Sequence, residues 1–309
     1  MTAVESVIDQ TIIRAKEPVT SRRRRGGPGQ VIATVFMIVM TVAWIVPLLF
    51  SLYVALRPVA STAKYGNVSL PHGGFTFSNF SNAWTQGQFW HYFVNSFWIT
   101  VPAVLITLLF ASAVAFVLTK VPFKGSIALL ILFAAGNLLP QQALITPLYR
   151  MYIQIKLPHF LADSGLLYDS RFGLILINVT FQLGFCVFVL SNYMRTIPDE
   201  MYEAALVDGA GLWTRFWRLT LPMCRPALAA LATLLTTWIY NDFFWAIALM
   251  STGSKRPITS ALNNLQGEFV SNQNMISAAA LLAAIPTLIV YLLLQRQFIA
   301  GLSLGSSKG

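Results

Sequence analysis

The stretch EAALVDGAGLWTRFWRLTLP, Glu203 to Pro222, is a charged island in an apolar chain. The protein is 56% hydrophobic and 10% charged, yet four acids and four arginines gather between Arg195 and Arg225. A chain that concentrates its charge in this way is a membrane protein that leaves the loop in water. The loop has an internal design. Thr196, Pro198 and Asp199 form a helix-start signal, a Thr-x-x-Asp variant of the capping box with Pro in the first turn. Asp199, Glu200 and Glu203 then lie toward the positive end of the helix dipole. Ala204 to Val207 continue the helix, and Gly209 and Gly211 end it or turn the chain. A second segment, Leu212 to Leu221, mixes Trp213, Phe216, Trp217 and Leu219 with Arg215 and Arg218, as suits a helix at a membrane surface. On spacing alone, two readings stand: an interfacial hairpin that links two spans, and a knob that docks on a partner.

Working outward, a mean hydropathy of +0.65 over 309 residues excludes an ordinary soluble domain. Two cysteines, Cys186 in an apolar run and Cys224 in the loop, imply no disulfide framework. His72, His91 and His159 have no metal-ligand spacing. There is no phosphate-binding Gly-rich loop and no nucleophile elbow, so no catalytic, cofactor-binding or metal-binding residue is assigned.

Six apolar segments each approach the ~20 residues needed to cross a bilayer. They are placed at Val31–Leu52, Phe93–Leu118, Ile127–Leu148, Phe172–Tyr193, Ala227–Met250 and Ile276–Phe298. An even number puts both termini on one side. Fourteen Lys and Arg fall on the side of the termini and of the Glu203 loop, and seven on the other. That excess marks the first side, and with it both termini, as cytoplasmic. The arginine run Arg22 to Arg25 anchors the first span there. This distribution accounts for the net charge of +10 without nucleic acid.

Polar residues inside the spans are candidate path residues. GNLLPQQALITPLY, Gly136 to Tyr149, combines the helix-loosening Gly136, Pro140 and Pro147 with Asn137, Gln141 and Gln142 at membrane depth. A purely structural kink is the competing reading. TTWIYNDFFWAIAL, Thr236 to Leu249, carries Asn241 and Asp242, the latter being the only acid inside an expected span.

The loop's spacing resembles the EAA signature of permease subunits of bacterial ABC importers: EAA, three residues, Gly, nine residues, then Ile-x-Leu-Pro. Here these are Glu203-Ala204-Ala205, Gly209 and Leu219 to Pro222, with Leu219 in place of Ile. Two further stretches resemble the carbohydrate (maltose and multiple-sugar) branch. One is the first outside loop, with Arg57-Pro58, Phe75 to Phe80 and Asn95-Ser96. The other is the tail QRQFIAGLSLGSSKG. The resemblance implies an all-α integral membrane protein with six transmembrane helices and a MetI-like core. It implies a cytoplasmic arm over 1–30, a first span and outside loop over 31–90, the core over 91–298 and a tail over 299–309. It makes Glu203, Ala204, Ala205, Asp208, Gly209, Leu219 and Pro222 the coupling element between spans four and five, docked on a separate ATPase. Asn137, Gln141, Asn241 and Asp242 would belong to the path. The partners implied are a second, non-identical permease, a dimeric cytoplasmic ABC ATPase that carries ATP and Mg, an extracytoplasmic solute-binding protein and membrane lipid. The expected location is the bacterial inner membrane, and the expected function is ATP-driven sugar import, with no enzyme activity on this chain.

Three rivals compete with that expectation. The first is an importer for glycerol phosphate, a polyamine or an osmolyte. The second is a cation-coupled secondary carrier built around Asp242, and the third is a membrane scaffold that transports nothing.

Overall fold

The computed structural model describes residues 28–70, 72–121, 123–262 and 272–303. The expected basic arm therefore lies outside the described residues up to residue 27, as does the tail beyond residue 303. In chain order the helices are α1 (Pro28–Ala55), α2 (Val59–Tyr65), α3 (Ser78–Thr85), α4 (Phe89–Lys120) and α5 (Ser126–Gly136). A 3-10 turn (Gln141–Leu144) leads into α6 (Ile145–Tyr152), followed by α7 (Arg171–Met194) and α8 (Asp199–Val207). Then come α9 (Leu212–Met223), α10 (Arg225–Tyr240), α11 (Phe244–Leu249), α12 (Ile258–Ala261) and α13 (Gln273–Ser303). The chain divides into two compact units, Met1–Phe50 and Ser51–Gly309. The second holds the packed helices and both candidate sites. Its only extended pairing among the described residues is the antiparallel bridge between Lys156 and Leu166.

Among the described residues, four helices are long and apolar enough to cross a membrane: Gly29–Ala55, Phe89–Lys120, Arg171–Met194 and Gln273–Leu293. Two more candidates are bent pairs. Ser126–Gly136 meets Gln141–Tyr152 at 88°, and Leu212–Met223 meets Arg225–Tyr240 at 72°. The expected third span, Ile127–Leu148, is thus not one helix. Pro140 holds φ at −66° with no N–H to give, and it biases Leu139 away from the helical region. The expected fifth span, Ala227–Met250, also ends early, at Tyr240. Here Asn241 Nδ2 donates back to Thr237 O at 2.8 Å, and Asp242 Oδ1 accepts the Trp245 N–H at 3.1 Å. One side chain closes a helix and the next opens another. At the far end, α13 continues through 299–303, where a tail was expected.

The centre of the second unit is the pairing of α4 with α7. Ala103, Ala111 and Ala115 on α4 are fully buried with Cys186, Val187 and Leu190 on α7. Small residues let two backbones approach without a large side chain between them. The same device recurs between α5 and α7, where a Cβ added to Gly184 would collide with the Phe133 carbonyl oxygen.

The outgoing end of α1 is finished by side chains from far along the chain. Asn79 Nδ2 donates to Ala55 O and Arg57 O, at 2.8 and 2.7 Å. Asn274 Nδ2 reaches Val54 O and Arg57 O, at 2.8 and 3.0 Å. These amides satisfy carbonyls that a helix C-terminus leaves without partners. Arg57 itself is 0% exposed, and its guanidinium donates to Gly66 O, Asn67 O, Ser61 Oγ and Ser69 Oγ. Carbonyl and hydroxyl oxygens solvate this cation in place of water. Asn95 and Ser96 tie the start of α4 to the chain before α12: Asn95 Nδ2 donates to Ser254 O at 2.8 Å, and Ser96 Oγ accepts the Ile258 N–H at 2.8 Å. The sequence pairs Arg57-Pro58 and Asn95-Ser96, and Asn79 within Phe75 to Phe80, are therefore structural ties.

Candidate functional site

The charged loop forms a helical hairpin. Its first helix, α8, begins at Asp199 after Pro198, and no side chain caps it. The expected Thr196 cap is not formed; its hydroxyl instead donates to Tyr193 O at 2.8 Å and finishes α7. Pro198, extended at ψ 136°, separates the two helices, so Thr196 falls on the α7 side of the boundary. The other end of α8 is a complete Schellman turn. Gly209 adopts φ +77°, its N–H bonds Leu206 O at 3.0 Å, and the Ala210 N–H bonds Ala205 O at 2.9 Å. No side chain enters that region of φ without strain, so the glycine fixes the turn.

The turn leaves Glu203, Ala204, Asp208 and Gly209 exposed and Ala205 half-buried. Apolar side chains share the tip: Leu206 is 59%, Val207 88% and Trp213 73% exposed. The return helix α9 winds as a π-helix from Arg215 to Thr220. Pro222, which is exposed, cannot donate to the carbonyl four residues back. The N–H of Leu221 reaches Phe216 O, and Thr220 Oγ1 donates to Arg215 O at 3.1 Å. Leu219 is half-buried on this segment. The hairpin is held from beneath by Tyr202, whose hydroxyl lies 3.1 Å from Thr220 Oγ1. Burial raises the Tyr202 hydroxyl above its ordinary pKa, so it stays neutral and able to donate.

The second candidate region lies where the first bent pair and the start of α11 meet α7. Trp245, 2% exposed, donates from Nε1 to Gln141 Oε1 at 3.1 Å and stacks on Phe181 with centroids 5.2 Å apart. Asp242 sets the start of α11 through the Trp245 N–H, and its Oδ2 accepts from Asn178 Nδ2 at 3.2 Å. Asn137, with its amide turned to suit both neighbours, donates to Phe181 O at 2.9 Å and accepts the Phe185 N–H at 3.0 Å. Those two backbone groups stand four residues apart, so Asn137 serves the pair that an α-helix normally joins to itself.

Three of the four path candidates, Asn137, Gln141 and Asp242, therefore converge on the Phe181–Trp245 pair. Asn241 does not; it is exposed and bonds within its own helix. Sequence reasoning missed Trp245, Phe181 and Asn178. Only the aromatic density after Asp242 pointed toward the first of them. Beside the cluster lies a cavity of about 420 Å³, lined by residues of α5, α6, α7 and the turn between α5 and α6, among them Phe133, Gly136, Asn137, Thr180 and Phe181. Its wall is almost wholly apolar, and its polar side chains are Asn137 and Thr180.

Helices of membrane-spanning length, together with helix pairs broken and bent between them, are what an integral membrane protein is built from. Comparison with known families agrees. Residues 87–303 match the family described as "Binding-protein-dependent transport system inner membrane component", and the chain belongs to that family. It is thus a multi-pass inner-membrane protein. It is 30% identical over 279 residues to the melibiose/raffinose/stachyose import permease protein MelC of Bacillus subtilis, covering 90% of this chain and 96% of that one. It is 32% identical over 283 residues to the diacetylchitobiose uptake system permease protein NgcG of Streptomyces coelicolor, covering 90% and 88%. Among solved structures, a bacterial ABC transporter that imports the acidic polysaccharide alginate superposes with a TM-score of 0.73 at 24% identity, over 91% of this chain and 100% of that chain. That likeness bears on the fold.

Proposed function

We propose that this chain is one of two non-identical permease subunits of an ATP-driven sugar importer, and that it forms half of the translocation path. The observation that carries the reading is the hairpin tip. Leu206, Val207 and Trp213 stand exposed on a charged loop whose turn is fixed by Gly209. An apolar tip held rigidly in water is a docking surface. A separate, dimeric ABC ATPase, which carries ATP and Mg, seats there. Glu203, Ala204, Ala205, Asp208 and Gly209 face it, and Leu219 and Pro222 set the return helix. The bent α5–α6 pair counts as one span and α10 with α11 as another, which gives six, with both termini on the cytoplasmic side with the hairpin. A solute-binding protein delivers the sugar from the other side.

In this mechanism, closure of the ATPase dimer displaces the hairpin. The helices attached to it rotate, and the cavity beside Asn137 and Phe181 opens outward. The relatives named for melibiose, raffinose, stachyose and diacetylchitobiose support a saccharide. No cationic side chain lines the cavity, which weighs against a phosphate ester. Asp242 is occupied by Trp245 and Asn178, which weighs against a cation-coupled carrier.

The test is uptake of labelled raffinose, melibiose and diacetylchitobiose by cells that carry wild type, Glu203→Lys or Gly209→Pro. Copurification of an ATPase is followed in the same strains. The expected result is vanadate-sensitive uptake of at least one sugar, lost in both variants while the protein still inserts and the ATPase falls away. Uptake that survives vanadate and both substitutions would overturn the reading.

A further inference from the structure

A lysine at the end of a membrane span normally extends its ammonium into the headgroup region. Lys120, in the last turn of α4, does not. Its side chain is only 4% exposed. The Nζ donates to Ile197 O at 2.8 Å and to Asp199 Oδ1 at 2.6 Å, and it stands 4.6 Å from the centre of the Tyr202 ring. An ammonium has three donor directions, and here two go to oxygens and the third faces a ring. Each partner belongs to a different part of the hairpin's base: Ile197 to the turn before α8, Asp199 to its first residue, and Tyr202 to its buried face. Tyr202 carries the connection onward to α9 through Thr220 Oγ1. Phe116, one turn before Lys120 on α4, packs against Tyr202 and Phe216 with centroids 6.4 and 5.5 Å apart.

One cation thus joins α4 to the first arm of the hairpin and, through Tyr202, to the second, and α4 is the helix that packs most extensively on α7. We infer that Lys120 is a positioning residue that makes the hairpin and α4 move as one body, so that displacement of the tip reaches the spans. The inference rests on the reading of the hairpin as an ATPase-docking element. The salt bridge alone would not suffice, because the Asp199 carboxylate is 79% exposed and screened by water. The buried carbonyl and the ring make the join directional.

The test has two arms. In the first, spin labels are placed at the exposed Leu206→Cys and Val117→Cys positions of the full-length protein, and the distance distribution between them is measured. Lys120→Met broadens it, Asp199→Asn broadens it less, and Lys120→Arg keeps it narrow. A distribution that stays narrow in Lys120→Met overturns the inference whatever the hairpin docks on. In the second arm, the whole importer is purified, and raffinose or another sugar that wild type transports is counted per ATP hydrolysed. Lys120→Met is expected to retain the ATPase but to lower that ratio about tenfold, the scale of a typical coupling free energy between sites. Lys120→Arg restores it. An unchanged ratio with the ATPase bound overturns the inference. Failure of wild type to copurify any ATPase counts instead against the docking reading, and leaves the first arm to decide the role of Lys120. Asp199→Asn, which keeps the bond to Ile197 O, gives both readouts should Lys120→Met fail to fold.

Discussion

The hairpin and the Trp245 cluster are built on opposite plans. The hairpin takes its shape from bonds between residues three to five apart: Gly209 to Leu206, Ala210 to Ala205 and Thr220 to Arg215. Its apolar tip is left exposed. The cluster takes its shape from bonds that reach across the chain, Trp245 to Gln141 over 104 residues and Asn178 to Asp242 over 64. A surface that must meet a partner can be specified locally and held from below. A polar group at membrane depth has no water to turn to, so it is satisfied only by side chains that the fold brings from elsewhere.

This contrast is open to direct attack, and the largest effect is expected at the tip. Val207→Asp combined with Trp213→Asp places charge in the proposed docking contact and weakens it by roughly 2 kcal/mol or more, the scale of an interface hot spot. Sugar uptake should fall to background while the melting temperature of the purified subunit stays put. A melting temperature that dropped with uptake would mean that the tip packs within the fold.

Next comes the helix contact beside the cluster. Gly184→Ala drives a methyl into the Phe133 carbonyl and separates α5 from α7 at a cost of about 1–3 kcal/mol, as overpacking usually does. Thermal unfolding in detergent reads this directly, and an unchanged transition would show that α5 yields freely.

The smallest effect tests the indole. Trp245→Phe keeps a ring on Phe181 but removes the N–H, leaving Gln141 Oε1 without its donor. A loss of about 1 kcal/mol is expected. Gln141→Met in the same background should add little, because the two residues share one bond. Additive losses from the pair would break the proposed link between the bent α5–α6 pair and α11.

Much of the hairpin was legible because its determinants are local. The glycine at 209 announced the stop of α8, and the acids at 199 and 200 marked its start. The misreading of Thr196 came from the same locality: Thr-x-x-Asp fits a cap, but Pro198 moves the boundary past it. The spans were legible as apolar runs but not as straight helices. Pro140 was visible in the sequence as a residue that bends or loosens a helix, but the size of the effect, an 88° break, was not. Asn241 and Asp242 were both assigned to the path. The fold turned one outward onto its own helix and used the other to join α7 to α11.

The sequence by itself determined that this is a membrane protein, where its charged loop lies, and which family spacing that loop carries. Hydropathy and short-range helix signals act through neighbours in the chain, so they can be read from neighbours in the chain. Only the tertiary structure decided that Lys120 is buried beneath the hairpin, that Asn79 and Asn274 finish α1, and that Gln141, Asn178 and Asp242 meet around Trp245. Each of those groups is polar and partly or wholly withdrawn from water. Its partner is whichever donor or acceptor the packed helices place within about 3 Å, and that choice is made by three-dimensional proximity rather than by sequence.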